Sequence, residues 1–379
     1  MTKPNVAFFT SAARGLAHYV AHLYPDIKPY VNPFYVTYSG QEVDDLAAEQ
    51  AGKIYRLIDR QSAMSALETI RFLESKKIDL VNLQVSDTVK KAHMQYFAIL
   101  AYAKYLGIPV CLTIHDVFTI ESAAIDPSAI ELIYLLGDSF IVGNETERDK
   151  MELYFSKRAK DIVVVPHGPY TLFDGDKWSC GSAKTELELK NKKVILFFGQ
   201  IRPNKGLKYL IKAFPSILKE HKNAHLYIST DLHMSTPELN DYLNRIEKSG
   251  VKNNITLIKD YIPSKEIEKV FKAADVVVLP YTQISQSGVL NLAFAFKRPV
   301  VVSSAFFEAE TINGKMGYSF PTGDYKSLAN GVNKILSLPD RGVKMGEAGY
   351  EYSTQKTNWK IGAELTNKAF KIALRNAKK

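Results

Sequence analysis

The feature that most constrains this chain is the alternation of short apolar runs with longer amphipathic stretches. Runs at 6–10, 34–38, 79–83, 110–114, 139–142 and 162–165 are followed, after a gap, by runs at 194–198, 226–229, 255–258, 276–279 and 300–303. Most are continuously apolar, the pattern of parallel strands buried on both faces. Helical stripes lie between them. Val89, Ala92, Tyr96, Phe97, Leu100 and Ala101 form one, with Ser86 or Asp87 as start and Gly107 as stop. Leu207, Leu210, Ile211, Phe214, Ile217 and Leu218 form a second. Ile267, Val270, Phe271 and Ala274 form a third, opened by Pro263 and Ser264. Strand–helix–strand repetition predicts an α/β fold with right-handed crossovers. Six strands, a gap and five or six more predict two doubly wound parallel sheets facing a cleft, where ligands bind at the carboxyl ends of the strands.

The length, 379 residues, suits two domains. Residues 1–168 are expected to form the first and 193–350 the second. Residues 169–192, with Pro169, Gly175, Gly181 and no clear period, read as the linker, and 351–379 as a basic terminal helix. Two cysteines, Cys111 and Cys180, exclude a disulfide scaffold and fit a reduced, cytoplasmic compartment. The most apolar stretch, 288–296, ends at Lys297 and Arg298, too short to span a bilayer. No secretory apolar region follows the N-terminus. The net charge is 49 − 40 = +9, and the last 26 residues hold seven Lys/Arg against one Glu. That balance fits anionic partners: phosphates, nucleic acid or an acidic membrane surface. No nucleic-acid motif appears, and the tail has no interleaved aromatics beyond Trp359 and Phe370, so no nucleic-acid partner is expected.

The chemistry concentrates at three strand ends. The first is Gly199-Gln200-Ile201-Arg202-Pro203-Asn204-Lys205-Gly206, between a buried strand and a helix. Asn204 reads as the N-cap, placing Lys205 in the first turn. Free helix-terminal amides with about half a positive charge, beside Arg202 and Lys205, suit a phosphate; the alternative is a solvated turn with incidental cations. The second is Gln286-Ser287-Gly288-Val289. Ser287 caps an apolar helix, and Gly288 has no Cβ to keep a ligand from the amides; a core helix with an ordinary start is the plainer reading. Together the two suggest a diphosphate. The third is His115-Asp116, ending an apolar strand, where a ligand contact and a structural hydrogen bond weigh about equally. Gly15 follows the first strand without a dinucleotide fingerprint, and it leaves room for an acceptor or phosphate.

Other signals point elsewhere. His18/His22 and His221/His225 have a zinc-compatible spacing but lack a third ligand, so packing or surface roles are expected. Asp174-Gly175-Asp176 lies away from any strand end, and Cys111 is mid-strand, where a thiol is inert. No P-loop or nucleophile-elbow motif is present.

The stretches 198–207, 274–281 and 293–300, with Val165-Pro166-His167-Gly168 and Thr113-Ile114-His115-Asp116, resemble glycosyltransferase family 4 over roughly residues 80–330. The resemblance implies the GT-B architecture of two Rossmann-like domains. It implies retaining transfer of a hexose from a UDP- or GDP-sugar to a saccharide or lipid-linked acceptor, with no cofactor and no metal. Carried over by motif, Gly199, Gln200, Arg202, Lys205, Ser287, Gly288 and Val289 would bind the diphosphate. Asp260, Tyr261, Ile262, Glu266 and Asn291 would hold base and ribose. His115, Gln286 and Glu308 would face the sugar, and Gly15 and Asp116 the acceptor, with His115, Arg202 and Lys205 catalytic.

Two departures stand out. Gln200 occupies the usual arginine position, with Arg202 as substitute, and the family's paired glutamates fall on Ile284 and Leu292. Gln286, Ser287 and Asn291, or Glu308 and Glu310, are the candidates to replace them. The terminal helix is expected to cross back onto the first domain, and peripheral contact with an anionic membrane suits a lipid-linked acceptor. A catalytically degenerate nucleotide-sugar-binding protein is the alternative.

Overall fold

The computed structural model of the chain describes all residues except 1, 41, 60, 63, 87–92, 118–126, 231–235 and 379. The expected helix start at Asp87 and the stripe residues Val89 and Ala92 lie outside the described residues. Two units emerge: residues 1–168 with 357–379, and residues 169–356.

The first unit is built on β1 (Asn5–Phe9), β2 (Asn32–Tyr38), β3 (Ile54–Ile58), β4 (Leu80–Val85), β5 (Val110–Ile114), β6 (Ser139–Val142) and β7 (Ile162–Val164). Its helices are α1 (Arg14–Ile27), α2 (Asp45–Ala51), α3 (Met64–Ser75), α4 (His93–Tyr105), α5 (Pro127–Leu135) and α6 (Glu145–Phe155). The sheet is parallel, in the order β3-β2-β1-β4-β5-β6-β7. β4, β5 and β6 are buried along their whole length, as continuous apolar runs require.

The second unit carries β8 (Lys193–Phe198), β9 (Ala224–Ser229), β10 (Ile255–Ile258), β11 (Val276–Leu279), β12 (Val300–Ser303) and β13 (Gly317–Phe320). Its parallel order is β10-β9-β8-β11-β12-β13. Around it lie α7 (Cys180–Glu186), α8 (Leu207–Glu220), α9 (Thr236–Lys248), α10 (Ser264–Ala273), α11 (Gly288–Ala295), α12 (Ala309–Ile312), α13 (Tyr325–Ser337) and α14 (Val343–Lys356). Helix α8 buries Leu207, Leu210, Ile211, Phe214 and Ile217, the face its spacing sets. Both sheets are doubly wound, with the strand order reversing between β1 and β4 and between β8 and β11.

Residues 169–192, expected as a linker, belong to the second unit. Glu268 of α10 accepts backbone N–H groups of Gly175 (3.2 Å), Lys177 (2.7 Å) and Trp178 (3.0 Å). The Ser179–Ser182 capping box then starts α7, and the buried Lys184 reaches Asp275 at 2.5 Å. Asp174 and Asp176 pair with Lys272 at 3.1 and 3.4 Å. The expected boundary at 351 falls inside α14, and the first unit resumes at Thr357.

The last helix, α15 (Trp359–Asn376), packs in the first unit, where Phe370 meets Phe8 edge to face at 5.9 Å. Asn376 Nδ2 donates to Asp138 O at 2.9 Å and Asp161 Oδ1 at 2.8 Å. Trp359 lies so close to Gly168 that a Cβ there would be 2.7 Å from the indole.

Candidate functional site

In an open parallel sheet, the loops after the two strands flanking the order reversal splay apart and leave a crevice. In the second unit these strands are β8 and β11, and the loops after them are the two stretches singled out from sequence. Gly199 leaves β8 at φ 105°, a conformation open to glycine. A Cβ at Gly199 would lie 3.4 Å from Val289 Cγ2, so the β8 loop and the first turn of α11 are neighbours. Ser287 caps α11 by accepting the Leu290 N–H at 3.2 Å. The Gly288 and Val289 amides lie in the first turn of α11, where N–H groups have no intrahelical acceptor.

The β8 loop is built differently from the sequence expectation. Asn204 does not cap α8. It lies in a 3₁₀ turn, Pro203–Lys205, and Gly206 at φ 66° is the N-cap, without a side-chain bond. Asn204 instead ties the two loops together. Its carbonyl accepts the Thr282 N–H at 2.7 Å, and its Nδ2 donates to Gln283 O at 3.2 Å. Gly206 fits beneath Pro280, where a Cβ would be 1.9 Å from the carbonyl oxygen. Arg202 donates to Gln200 Oε1 at 2.8 Å, so Gln200 orients the guanidinium.

Tyr281, which sequence reasoning passed over, is the hub. Lys205 Nζ lies 3.8 Å from the centroid of its buried ring, a cation–π seat that holds the ammonium at the loop. Phe306 packs on the ring at 5.2 Å, and Ser303 donates to the Tyr281 carbonyl at 2.5 Å. The hydroxyl, buried beside Ser287, makes no hydrogen bond of good geometry, and burial raises its pKa. The signal was an aromatic directly after Pro280, which follows the buried strand β11. Gly288 also has a different reason than expected: a Cβ there would be 3.1 Å from Tyr170, so its smallness admits that ring.

Other expected contacts divide. Asn291 is buried in α11, and Gln286 is half-buried just before it. Asp260 and Tyr261 are exposed and Ile262 half-buried in the loop before α10, where Glu266 pairs with Lys269 at 2.7 Å. Glu308 opens α12 two residues after Phe306, and burial raises its carboxyl pKa. Glu310 is exposed.

In the first unit, His115 ends β5 beneath Tyr19, with rings edge to face at 4.9 Å. His115 Nε2 meets Gln84 Oε1 at 2.8 Å, and burial lowers its pKa to about 4. His167 stacks on the other side of the cluster against Tyr19 at 4.9 Å, its pKa lowered to about 3 by burial, then by His115 and His22. Trp359 closes the group, 5.2 Å from Tyr19 and 5.6 Å from both His22 and His167. Asp116 is half-buried, and Gly15 lies in the first turn of α1 with open space around it. The histidine pairs serve packing: His18 meets Asp44 at 3.1 Å, His22 donates to His18 O at 2.7 Å, and His225 meets Thr256 at 2.8 Å. Burial pushes the Cys111 thiol up to about 12, which keeps it inert.

Residues 182–352 match the family model for glycosyl transferases group 1. A glycosyltransferase of Methanocaldococcus jannaschii is 32% identical over 190 residues, 48% of this chain and 46% of that protein. A D-inositol 3-phosphate glycosyltransferase of Segniliparus rotundus is 24% identical over 71% of this chain and 62% of that one. The chain thus covers less than two thirds of the length of either relative. HepE of Anabaena, solved with UDP and glucose, superposes with a TM-score of 0.78 at 15% identity, covering 97% of this chain and 99% of that chain. Sucrose-phosphate synthase of Thermosynechococcus elongatus gives 0.77 at 16% identity, covering 97% and 98%. The two parallel-sheet units have the GT-B fold.

Proposed function

We propose that the chain is a glycosyltransferase that moves a hexose from a UDP- or GDP-sugar to a saccharide or lipid-linked acceptor, with retention at the anomeric carbon and no metal ion. The observation that carries this is the closeness of Gly199 to Val289 at the β8/β11 reversal, where a Cβ on Gly199 would lie 3.4 Å from Val289 Cγ2, with Lys205 seated on Tyr281. One crevice thereby offers amides from a helix start and two cations, the chemistry a pyrophosphate needs. The match of residues 182–352 to group 1 glycosyl transferases and the UDP-bound relative of similar fold support the same reading.

Breaking a sugar–phosphate bond builds negative charge on the leaving diphosphate and positive character on the sugar. Lys205, Arg202 and the Gly288 and Val289 amides stabilise the leaving group more in the transition state than in the ground state. Asp260, Tyr261, Ile262, Glu266 and Asn291 are assigned to base and ribose. Gln286 and Glu308 are assigned to the sugar. The first unit is assigned the acceptor, through Gly15 and Asp116, and His115 a sugar hydroxyl.

Among the described residues no helix is long and apolar enough to cross a membrane. Lys360, Lys368, Lys371 and Arg375 are exposed on α15 while its apolar face is spent on packing. Peripheral binding to an anionic membrane from the cytoplasm is therefore electrostatic on this reading. It should appear as co-sedimentation with anionic but not neutral vesicles, lost as salt rises.

The test of the donor is a thermal-shift series with UDP, GDP, ADP and TDP. A nucleotide at 100 times its Kd stabilises the fold by about 2.7 kcal/mol. The matching nucleotide-sugar should then be consumed equally with and without EDTA, giving a product of unchanged anomeric configuration by NMR. No shift with any nucleotide sinks the proposal.

A further inference from the structure

Beneath His115 runs a line of buried amides whose hydrogen bonds have one self-consistent direction. The register sets Asn82 beside Cys111 and Gln84 beside Thr113. Asn82 and Gln84 are two apart on β4, as are Thr113 and His115 along β5 and its end, so the side chains of each pair leave the same face of the sheet. Asn82 is 0% and Gln84 1% exposed, so an unmade hydrogen bond here has no water to replace it.

The line can be read from its fixed end. Asn82 Nδ2 lies 3.1 Å from the Cys111 carbonyl oxygen and 3.0 Å from Thr113 Oγ1. A backbone carbonyl only accepts, so Asn82 presents its NH₂ there and its Oδ1 on the other side. Gln84 stands 2.5 Å from that oxygen and donates through Nε2. Its Oε1 is therefore the atom 2.8 Å from His115 Nε2. An amide oxygen only accepts, so the imidazole carries its proton on Nε2. The other tautomer would set two lone pairs against each other in a dry site.

We propose that Asn82 and Gln84 are positioning residues that hold His115 as the Nε2–H tautomer, leaving Nδ1 as an acceptor for a hydroxyl of the bound ligand. Nδ1 has no hydrogen-bond partner among the described residues. Burial keeps the ring neutral at ordinary pH, so Nδ1 offers a lone pair rather than a proton. Such an atom rejects phosphate and carboxylate oxygens and accepts an O–H. The tautomer stands without any assumption about activity; only the identification of the hydroxyl as a sugar's rests on the transferase reading.

The experiment is a long-range ¹H–¹⁵N spectrum of the full chain labelled in histidine, with His115 assigned by its loss in His115→Asn. The wild type should show His115 neutral and protonated at Nε2 throughout pH 6–8. Gln84→Met, which keeps shape and removes the acceptor, should give a mixture of tautomers. Gln84→Glu should keep Nε2–H but raise the pH at which the ring protonates. A wild-type signal from Nδ1–H, or a pattern unmoved by Gln84→Met, overturns the proposal. The wild-type spectrum needs no variant, so misfolding of one leaves the test intact. On the transferase reading, Gln84→Met also lowers kcat by about tenfold with nucleotide affinity unchanged. Absence of transferase activity in the wild type, with the Nε2–H signal present, would sink that reading and spare the relay.

Discussion

At the residue scale, Lys205 and Tyr281 act as one unit. The ammonium stands 3.8 Å from the centroid of the buried ring, within the range of a cation–π contact. Lys205→Ala should lower kcat by roughly 10²–10³, about 3 kcal/mol of transition-state stabilisation. Tyr281→Phe keeps the face and removes a hydroxyl with no well-formed hydrogen bond, so it should turn over within a few-fold of wild type. Steady-state kinetics on both variants decide this; a fully active Lys205→Ala removes the lysine from the mechanism. The place of Lys205, in a glycine-bounded loop directly after β8, was legible in the sequence from the apolar run that ends there. Tyr281 was not, because an aromatic after an apolar run reads as more core. What distinguishes it is the cation on its face and Phe306 beside it, both set by other loops.

At the element scale, the central strands were legible and two edge strands were not. β3, Ile-Tyr-Arg-Leu-Ile, buries only Ile58, and β13 begins at a glycine and is buried only at its ends. Each has one neighbour, so neither needs the continuous apolar run that marks a strand covered on both sides. The start of α8 was misplaced for a related reason. Asn204 has the residue type of an N-cap, but its hydrogen bonds go to Thr282 and Gln283 on another loop, a contact that local sequence does not carry. The docking of those loops makes Gly206→Ala informative. The new Cβ meets the Pro280 carbonyl and strains φ 66°. The variant should lose about 2–3 kcal/mol of stability by denaturant titration and bind the nucleotide more weakly. Gly250→Ala, also at positive φ but with nothing near its Cβ, isolates the strain: it should cost less and leave binding alone.

At the scale of the whole molecule, the histidines whose pKa desolvation lowers set how stability depends on pH. Burial holds His115 neutral down to about 4 and His167 to about 3. An unfolded histidine takes up its proton near pH 6.5. Between pH 6.5 and about 4 the unfolded chain therefore binds more protons than the folded one. Stability rises with pH wherever that holds, so their contribution is complete above about pH 7 and is lost on acidification through this window. His225, lowered to about 4 by burial and then Lys192, adds the same sign in the second unit. Asp324 and Asp340, whose pKa values are lowered by hydrogen bonds, act below the ordinary carboxylate range. Glu308, raised by burial, acts in the opposite direction, because its folded form takes the proton first. The Tm should fall steadily from pH 7 to pH 5. His167→Gln should flatten that fall even if it lowers the Tm at pH 7, because it removes one of the protons that only the unfolded chain binds. His225→Gln should flatten it independently, since the two histidines lie in different units. A Tm that holds constant or climbs from pH 7 to 5 in the wild type would mean that these rings are protonated in the folded protein, and the neutral Nδ1 acceptor of His115 would go with them.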